Sequence, residues 1–238
     1  MINSKTIDSK IIVALDYADA KSALQLVEQL NPNLCKLKIG NELFTAAGPQ
    51  LVEFIVDKGF KVFLDLKFHD IPNTVAKACM AASNLGVWML NVHASGGIPM
   101  MQAAREAVDK TNHKPYLIAV TVLTSLDQVT FNQLGINSPI EAQVLNLAKL
   151  TQQAGLDGVV CSAMEAYIIR KQLGKDFYLV TPGIRLNHTS LVNHDDQSRV
   201  VTPQDALNNG ASYLVMGRPI TQALDPLKTL EAIFQEIA

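Results

Sequence analysis

The sequence predicts a single-domain (β/α)8 barrel over residues 1–238, and three observations support this fold class. Eight short runs are apolar on both faces, as a parallel sheet covered by helices requires. Segments with helical periodicity separate the runs, and about 240 residues is a usual length for such a barrel. Polar residues collect where the apolar runs end. A doubly wound open sheet is the competing architecture, but it seldom needs eight strand–helix pairs.

The predicted strands are the eight apolar runs, taken in chain order. They span Lys10–Asp16, Leu34–Gly40, Lys61–Phe68, Trp88–Ala94, Tyr116–Thr124, Gly158–Ala163, Phe177–Ile184 and Ser212–Ile220. Glycine just past a helix and proline at its start are the expected helix boundaries. These signals and the periodicity bound five helices: Ala18–Leu30, Glu42–Lys58, Thr74–Leu85, Glu141–Gln153 and Pro226–Ile237.

Charge and hydropathy argue against several classes of partner. The chain has 20 basic and 22 acidic residues, a net charge of −2, and no dense Lys/Arg block, which disfavours nucleic acid and anionic membranes. No secretory signal is visible, and no apolar run approaches the roughly 20 residues that span a bilayer. The three cysteines lack metal or redox spacing, so we expect buried thiols at Cys35, Cys79 and Cys161 and a cytoplasmic location.

Polar residues at the carboxyl ends of the predicted strands indicate a functional site, because barrels of this class carry their functional groups at that face. Side chains two residues apart share a face of a strand, so Asp65 and Lys67 are expected to point together into the lumen. An exposed ion pair is the alternative for an isolated Asp-x-Lys-x-x-Asp. The other polar residues at strand ends are Asp16, Lys38, Asn91, His93, Thr124, Arg185 and Arg218.

Five charged residues alternate in sign if they share one barrel mouth: Asp16, Lys38, Asp65, Lys67 and Asp70. Alternation lowers the desolvation cost and keeps the lysines protonated and the aspartates ionised. Such a site is poor for Mg²⁺, because ammonium groups occupy the carboxylates, and poor for a Schiff base, which needs a neutral lysine. A protonated lysine beside a carboxylate suits proton donation to a carbanion while the negative charge repels an anionic group of the substrate.

A phosphate group is expected at the loops after the seventh and eighth strands, where barrels of this class often bind one. Thr181–Arg185 and Val215–Pro219 each place a glycine and an arginine just beyond a strand. Gly217 lets backbone N–H groups approach a phosphate, and Arg218 supplies a bidentate charged donor. A turn with a surface arginine is the alternative for either pair alone.

The long polar segment Leu186–Val201 fits either a mobile lid or a plain surface loop. As a lid it would close over the ligand and exclude water, and Gln197 could reach the ligand. Of the other strand-end groups, His93 is favoured as a structural histidine. Lys36 shares a face with Lys38 one pleat deeper, and no role is assigned to it.

Several of these motifs resemble the signature of the orotidine 5′-phosphate decarboxylase family. The most specific is the ten-residue block DLKFHDIPNT at Asp65–Thr74, and the matching motifs follow the family's order over nearly the whole chain. The others are Leu15–Asp16, Lys36–Gly40, Asn91–Gly97, Thr121–Ser125, Pro182–Arg185, Asp196–Gln197 and Met216–Pro219. The chain departs from the family at Leu186, where proline is usual, and in a somewhat longer lid.

The resemblance implies a homodimeric (β/α)8 barrel that converts orotidine monophosphate to UMP and CO₂ without metal or cofactor. It implies that Lys67 protonates C6 of the pyrimidine as CO₂ leaves. Asp65 would sit against the departing carboxylate, and Lys38 would hold Asp65 and the ribose hydroxyls.

The resemblance also implies roles in binding the nucleotide. Asp16 would bind the ribose and Thr124 the pyrimidine. Three residues would reach into the partner subunit's site: Asp70, Ile71 and Thr74. Four would hold the phosphate end and close the lid: Arg185, Gln197, Gly217 and Arg218.

Two other functions stay open. Sugar-phosphate enzymes of the same superfamily, a keto-gulonate-phosphate decarboxylase or a hexulose-phosphate synthase, resemble this chain through Asp-x-Lys-x-x-Asp. They use Mg²⁺ and carry an acidic residue where this chain has Lys38. A catalytically silent barrel that binds nucleotide or scaffolds a partner is a different class, and the full set of charges disfavours it because buried charges are costly to keep.

Overall fold

The computed structural model describes residues 8–186 and 201–237, so Gln197 and residues 187–200 of the predicted lid lie outside the described residues. Within these ranges, eight strands pair in parallel and in chain order, and the last pairs with the first to close a barrel. The predicted (β/α)8 barrel is confirmed. The strands are β1 Ile11–Leu15, β2 Lys36–Gly40, β3 Val62–Phe68, β4 Met89–His93, β5 Tyr116–Val120, β6 Gly158–Val160, β7 Tyr178–Thr181 and β8 Tyr213–Met216.

Helices follow the strands and cover the outside of the barrel. In chain order they are α1 Ala20–Val27, α2 Asn41–Ala47, α3 Pro49–Asp57, α4 Pro72–Ser83, α5 Gly97–Asp109, α6 Gln128–Gln133, α7 Ile140–Gln153, α8 Ala163–Leu173, α9 Pro203–Asn208, α10 Arg218–Thr221 and α11 Pro226–Ile237. Among the described residues, none of these helices is both long and apolar enough to cross a bilayer.

The strands bury both faces, which explains their continuous apolar character. One core lies between the strands and the helices and contains the outward-facing Ile11, Val13 and Leu15 of β1. A smaller core fills the lumen with Ile12 and Phe63 among its members. Among the described residues, these side chains fill the lumen toward the amino-terminal end of the barrel, and open space remains toward the carboxyl ends of the strands, where a functional site can form.

Four predicted strands were too long at their carboxyl ends by three or more residues. The sixth, predicted to Ala163, ends at Val160. The fifth ends at Val120 rather than Thr124, so Thr124 lies in the following loop. The seventh ends at Thr181, because Pro182 has no N–H to donate and Gly183 has a φ of 80°. The eighth ends at Met216, and Arg218–Ile220 of its predicted end lie in the short helix α10.

The helix predicted over Glu42–Lys58 is wrong as a single element. It divides into α2 and α3 at Gly48, which has a φ of 73° and ends α2, while Pro49 begins α3. The helix predicted from Thr74 begins earlier, at Pro72, because proline fits the first turn of a helix. Pro226–Ile237 is confirmed with the predicted bounds.

The amino-terminal end of the barrel is closed by aromatic side chains around Lys36, a group that we call the barrel floor. Its aromatic members lie at or just before the starts of their strands: Trp88, Tyr116, Tyr178 and Tyr213. Neighbouring rings lie 4.7–5.8 Å apart between centroids. The Lys36 ammonium lies over the rings of Trp88 and Tyr213, and it forms an ion pair of 3.0 Å with Asp8. The barrel therefore opens at its other end.

Candidate active site

A cavity of about 580 Å³ opens at the carboxyl ends of the strands. This volume is in the range of small-molecule sites. The bottom of the cavity is apolar and is formed by Ala14, Phe63 and Val215 from the barrel interior. Its walls carry eight of the residues predicted from the sequence: Asp16, Lys38, Asp65, Lys67, Thr124, Arg185, Gly217 and Arg218.

Four charged side chains form one continuous row of ion pairs across this cavity. The Lys38 ammonium nitrogen lies 3.2 Å from Asp16 Oδ1 and 3.4 Å from Asp65 Oδ2. The Lys67 ammonium nitrogen lies 2.8 Å from Asp65 Oδ1. The row therefore alternates acid, base, acid, base, and its formal charges cancel within this chain.

Lys38 is held as a cation by its two carboxylate neighbours. Burial of its side chain, which is 12% exposed, acts to lower its pKa. The charges of Asp65 and Asp16 and their hydrogen bonds outweigh burial and raise the pKa of Lys38 above its usual value. A lysine in this state cannot act as a nucleophile or form a Schiff base near neutral pH, but it can fix the position of both carboxylates.

The end of β3 positions Asp65 and Lys67 through an irregularity in the sheet. Leu64 pairs with Leu90 on β4, but the next pair joins Phe68 to Val92, so β3 contains two extra residues at this point. Lys67 has a φ of 52°, a left-handed conformation that is uncommon outside glycine. Asp65 and Lys67 nevertheless both face the cavity, as the two-residue spacing predicts. A bulge beside a functional site commonly redirects a side chain in this way.

A second group of polar residues lines the same cavity from the loops after β5, β7 and β8. Thr124 comes from the first, Arg185 from the second and Arg218 from the start of α10. Gly217 brings the β8 loop close to Asp16, since a Cβ at this glycine would lie 3.6 Å from Asp16 Oδ2. Sequence reasoning missed Gln222, which also lines the cavity. It follows α10, a helix that was interpreted as the end of a strand.

Asp70, Ile71 and Thr74 do not line the cavity of their own chain. They belong to an exposed stretch from His69 to Thr74, which follows β3 and includes the first residues of α4. Asp70 accepts a hydrogen bond of 2.6 Å from the backbone N–H of Ile71, whose side chain is 67% exposed. Their predicted contact with a partner's site concerns a chain that this structure does not contain, and it stays a prediction.

His93 and the three cysteines lie outside the row of ion pairs, in buried or partly buried positions. His93 is partly buried beside His69, with ring centroids 5.5 Å apart. Burial lowers the pKa of His93, with further lowering by the charges of His69 and Lys67. The three cysteine side chains are buried, as predicted, and burial raises the pKa of Cys35 and of Cys79 to about 12. These thiols are therefore unreactive in the folded protein.

One known protein family matches most of this chain. Residues 9–233 match the model of the "Orotidine 5′-phosphate decarboxylase / HUMPS family". The chain belongs to this family. The match includes every strand of the barrel and every residue that lines the cavity.

Curated relatives and a solved structure that are similar to this chain agree with the family assignment. The orotidine 5′-phosphate decarboxylase of Nitrosococcus oceani is 58% identical over 230 residues, which are 97% of this chain and 98% of the relative. That of Neisseria meningitidis serogroup C is 56% identical over 223 residues, 94% of this chain and 90% of the relative. The crystal structure of orotidine 5′-phosphate decarboxylase from Lactobacillus acidophilus has a TM-score of 0.86 and 38% identity, covering 97% of this chain and 99% of that one.

The motifs that resemble the orotidine 5′-phosphate decarboxylase family fall on two sides of this site. Asp16, Lys38, Asp65 and Lys67 make the row of ion pairs. The motifs after β5, β7 and β8 supply the residues around its rim. In this family member, a charged row and a polar rim are thus built from strand ends that are distant in sequence.

Proposed function

We propose that this chain decarboxylates orotidine 5′-monophosphate to UMP and CO₂, the last step of pyrimidine nucleotide synthesis, without metal or cofactor. The observation that carries the proposal is the row Asp16–Lys38–Asp65–Lys67 in a cavity large enough for a nucleotide. The family's description names two groups, so membership by itself is broader than one reaction. The relatives that are 56–58% identical over nearly the full length are named for this reaction.

Lys67 is proposed as the proton donor. When the bond between C6 and the carboxyl carbon breaks, its electron pair stays on C6 and CO₂ leaves. An N–H proton of the Lys67 ammonium then forms the C6–H bond of UMP, and the neutral amine later takes a proton from water. The 2.8 Å contact with Asp65 supports this role, because a neighbouring carboxylate orients the ammonium until the carbanion develops.

Asp65 is proposed to act on the substrate carboxylate by charge. Its side chain is 12% exposed and lies between two lysines, so it is held in one position. A substrate carboxylate placed beside it would be repelled, and this repulsion is relieved as the group becomes neutral CO₂. Only an interaction that is more favourable in the transition state than in the ground state accelerates the reaction, and this one meets that condition.

The independence from metal is proposed because the carboxylates already form ion pairs with lysines. Asp65 Oδ1 contacts Lys67, Asp65 Oδ2 contacts Lys38, and Asp16 Oδ1 contacts Lys38. A divalent cation would have to displace these ammonium groups and would be repelled by both of them. This donor set favours a reaction in which a lysine stabilises the developing negative charge.

The binding roles follow the two sides of the cavity. Lys38 and Asp16 are proposed to bind the ribose hydroxyls and Thr124 the pyrimidine. Arg185, Gly217 and Arg218 are proposed to hold the phosphate, at the loops after β7 and β8 where this class of barrel commonly does so. Gln197 is proposed as a further phosphate contact on the resemblance alone.

A homodimer is proposed because the exposed stretch after β3 suits a subunit interface. Ile71 is 67% exposed and lies between Asp70 and Pro72 in a run of six exposed residues. The resemblance to the orotidine 5′-phosphate decarboxylase family supports this contact, and the exposed Ile71 side chain offers apolar surface for it. In the dimer, Asp70, Ile71 and Thr74 would reach the partner's cavity. A single-domain organisation is proposed with it, supported by strands from Ile11 to Met216 that close one barrel.

One assay tests the reaction and separates it from the alternatives. The protein is incubated with orotidine monophosphate in excess EDTA, and the loss of orotate absorbance and the appearance of UMP are followed. Turnover in EDTA is the expected result. Turnover of sugar phosphates that requires added Mg²⁺ would support the sugar-phosphate enzymes instead. Tight binding of UMP with no turnover under either condition would support the silent barrel.

A further inference from the structure

Asn91 lies on β4 directly opposite the bulge of β3 that carries Asp65 and Lys67. Two pairs flank the bulge, Leu64 with Leu90 and Phe68 with Val92, so Asn91 is the one β4 residue between them. Its side chain is fully buried, and it is not among the residues that line the cavity. A buried primary amide is costly unless its polar atoms are hydrogen-bonded, so its partners show what it is for.

Both polar ends of the Asn91 amide bind residues of the row. Asn91 Oδ1 accepts a hydrogen bond of 2.8 Å from the backbone N–H of Lys67. Asn91 Nδ2 donates a hydrogen bond of 2.7 Å to Asp65 Oδ1. The first bond replaces a partner in the sheet that Lys67 loses at the bulge, where its backbone turns to a φ of 52°. The second bond reaches the same carboxylate oxygen that the Lys67 ammonium contacts.

The direction of this bridge is fixed by chemistry. A backbone N–H can only donate, so the amide oxygen of Asn91 must face Lys67 and the NH₂ group must face Asp65. Asp65 Oδ1 then accepts both from this NH₂ group and from the Lys67 ammonium. We infer that Asn91 is a positioning residue for the proposed decarboxylation, which holds the Asp65 carboxylate and the backbone of Lys67 in the geometry that the proton transfer requires. The inference rests on the proposed function.

The alternative is that Asn91 only stabilises the barrel. A stabilising residue would affect the free energy of unfolding without a specific effect on the chemical step. A positioning residue would lower kcat while binding of the nucleotide, which uses the rim of the cavity, is retained. The two roles also differ in the pH dependence that an aspartate at position 91 would cause. Its carboxyl group, when protonated, has nearly the shape of an amide and can make both hydrogen bonds.

Two variants and one control make the test. Asn91→Leu keeps the number and branching of the side-chain heavy atoms and removes both hydrogen bonds. Asn91→Asp keeps the shape but sets a second carboxylate against Asp65. Thr151→Val removes another fully buried hydrogen bond, the 2.8 Å bond from Thr151 Oγ1 to the Leu147 carbonyl on α7, away from the cavity. Each protein is measured for kcat and KM with orotidine monophosphate, for the Kd of UMP and for thermal unfolding.

For Asn91→Leu we expect kcat to fall roughly tenfold to a hundredfold, as for other residues that hold a functional group in place. KM and the Kd of UMP should change by less than about threefold. Thr151→Val should keep its kcat even when it loses as much stability as Asn91→Leu. For Asn91→Asp, the ratio of its kcat to that of the unchanged protein should rise as pH falls, because protonation of the introduced carboxyl restores the donor to Asp65. The ratio for Asn91→Leu should not depend on pH.

A kcat for Asn91→Leu within about threefold of the unchanged protein, or an equal loss in Thr151→Val, would overturn the inference. If Asn91→Leu does not fold, Asn91→Asp decides alone, and a ratio independent of pH would overturn it. A readout without substrate separates this inference from the proposed function. The amide hydrogen of Lys67, followed by NMR, should exchange at least about tenfold faster in Asn91→Leu, which removes the acceptor of its hydrogen bond. An unchanged protein that does not decarboxylate orotidine monophosphate would refute the proposed function alone.

Discussion

The ammonium nitrogen of Lys67 lies 2.8 Å from Oδ1 of Asp65, and the two residues are separated by one position at the end of β3. This contact joins the group that we propose as proton donor to the group that we propose to repel the substrate carboxylate. The same pair thus supports the two halves of the reaction, departure of CO₂ and protonation of the carbon that it leaves. Substitutions at each partner should separate these halves.

Replacing the proposed proton donor should stop the reaction without preventing binding. In Lys67→Ala the carbanion has no positioned acid, so kcat should fall by at least about a hundredfold, within the range for loss of a general acid. The Kd of UMP should change by less than about tenfold. The matched control is Lys149→Ala, which removes an exposed lysine on α7. Normal turnover by Lys67→Ala would end the proton-donor role.

Replacing the carboxylate between the lysines should affect chemistry more than binding. In Asp65→Asn the charge that repels the substrate carboxylate is lost, so kcat should fall while orotidine monophosphate binds as tightly or more tightly. The new amide nitrogen would face Lys38, Lys67 or Asn91, all of which present donors to this site. A stability loss of about 1–3 kcal/mol is therefore expected from the unsatisfied donor.

Enzyme kinetics and isothermal titration with orotidine monophosphate and with UMP check this prediction. Asp57→Asn, at an exposed acid at the end of α3, serves as the control. A variant whose KM for the substrate rises in parallel with the Kd of UMP, at unchanged kcat, would contradict the role assigned to Asp65.

Removing the arginine at the start of α10 should act on the phosphate end of the ligand. Arg218→Ala should weaken UMP by roughly tenfold to a hundredfold, since charged hydrogen bonds contribute about 1.5–3 kcal/mol. Uridine, which lacks the phosphate, should bind the variant and the unchanged protein alike and so is an internal control. The two affinities are measured by calorimetry. Equal weakening of UMP and uridine would place Arg218 away from the phosphate.

The barrel floor predicts a pH-dependent stability effect at Asp8. Its carboxylate pairs with Lys36 at 3.0 Å and Lys61 at 2.9 Å and accepts a hydrogen bond of 3.0 Å from the Tyr213 hydroxyl. Asp8→Ala leaves the Lys36 charge buried without this partner. Breaking a buried pair costs about 3–5 kcal/mol, but the Asp8 side chain is 49% exposed and screened by water, so about 1–2 kcal/mol is expected at pH 7.

The direction of the pH effect follows from the pKa of Lys36. Burial lowers this pKa below the ordinary value of 10.5, and it outweighs the opposing effect of Asp8. Between the folded and unfolded pKa the unfolded chain binds more protons, so the free energy of unfolding rises with pH. Without Asp8 the pKa of Lys36 falls further, so the destabilisation of Asp8→Ala should shrink as the solution becomes alkaline. Urea unfolding at pH 7 and pH 9.5 measures it, and adding Lys36→Met should recover most of the loss at pH 7. If Lys36→Met recovers no stability, the loss in Asp8→Ala does not come from the unpaired Lys36 charge.

The alternation of strand and helix and the placement of the charged row could be predicted because both depend on local patterns. A strand that is apolar on both faces fits between the helices and the lumen of a barrel, and its carboxyl end lies at the face that carries the functional groups. Asp16, Lys38, Asp65 and Lys67 were therefore brought together by strand order alone. Their separation in sequence did not matter, since the closed sheet aligns the carboxyl ends of neighbouring strands.

The details that the sequence did not predict depend on departures from regular geometry. Lys67 adopts a positive φ that no residue type at this position signals, and the bulge follows from the register between β3 and β4. The importance of Asn91 was hidden for the same reason, because an asparagine in a strand has no fixed partner until the register is known. Gln222 lies after a helix that the apolar run ending at Ile220 concealed.

Among the described residues, the barrel floor closes the amino-terminal end of the lumen, so molecules enter and leave at the carboxyl ends of the strands. UMP must clear the passage before another orotidine monophosphate can enter, so the two nucleotides should compete, and accumulated UMP should slow the enzyme as a competitive inhibitor. The supply of pyrimidine nucleotide would then restrain its own production through the geometry of the entrance.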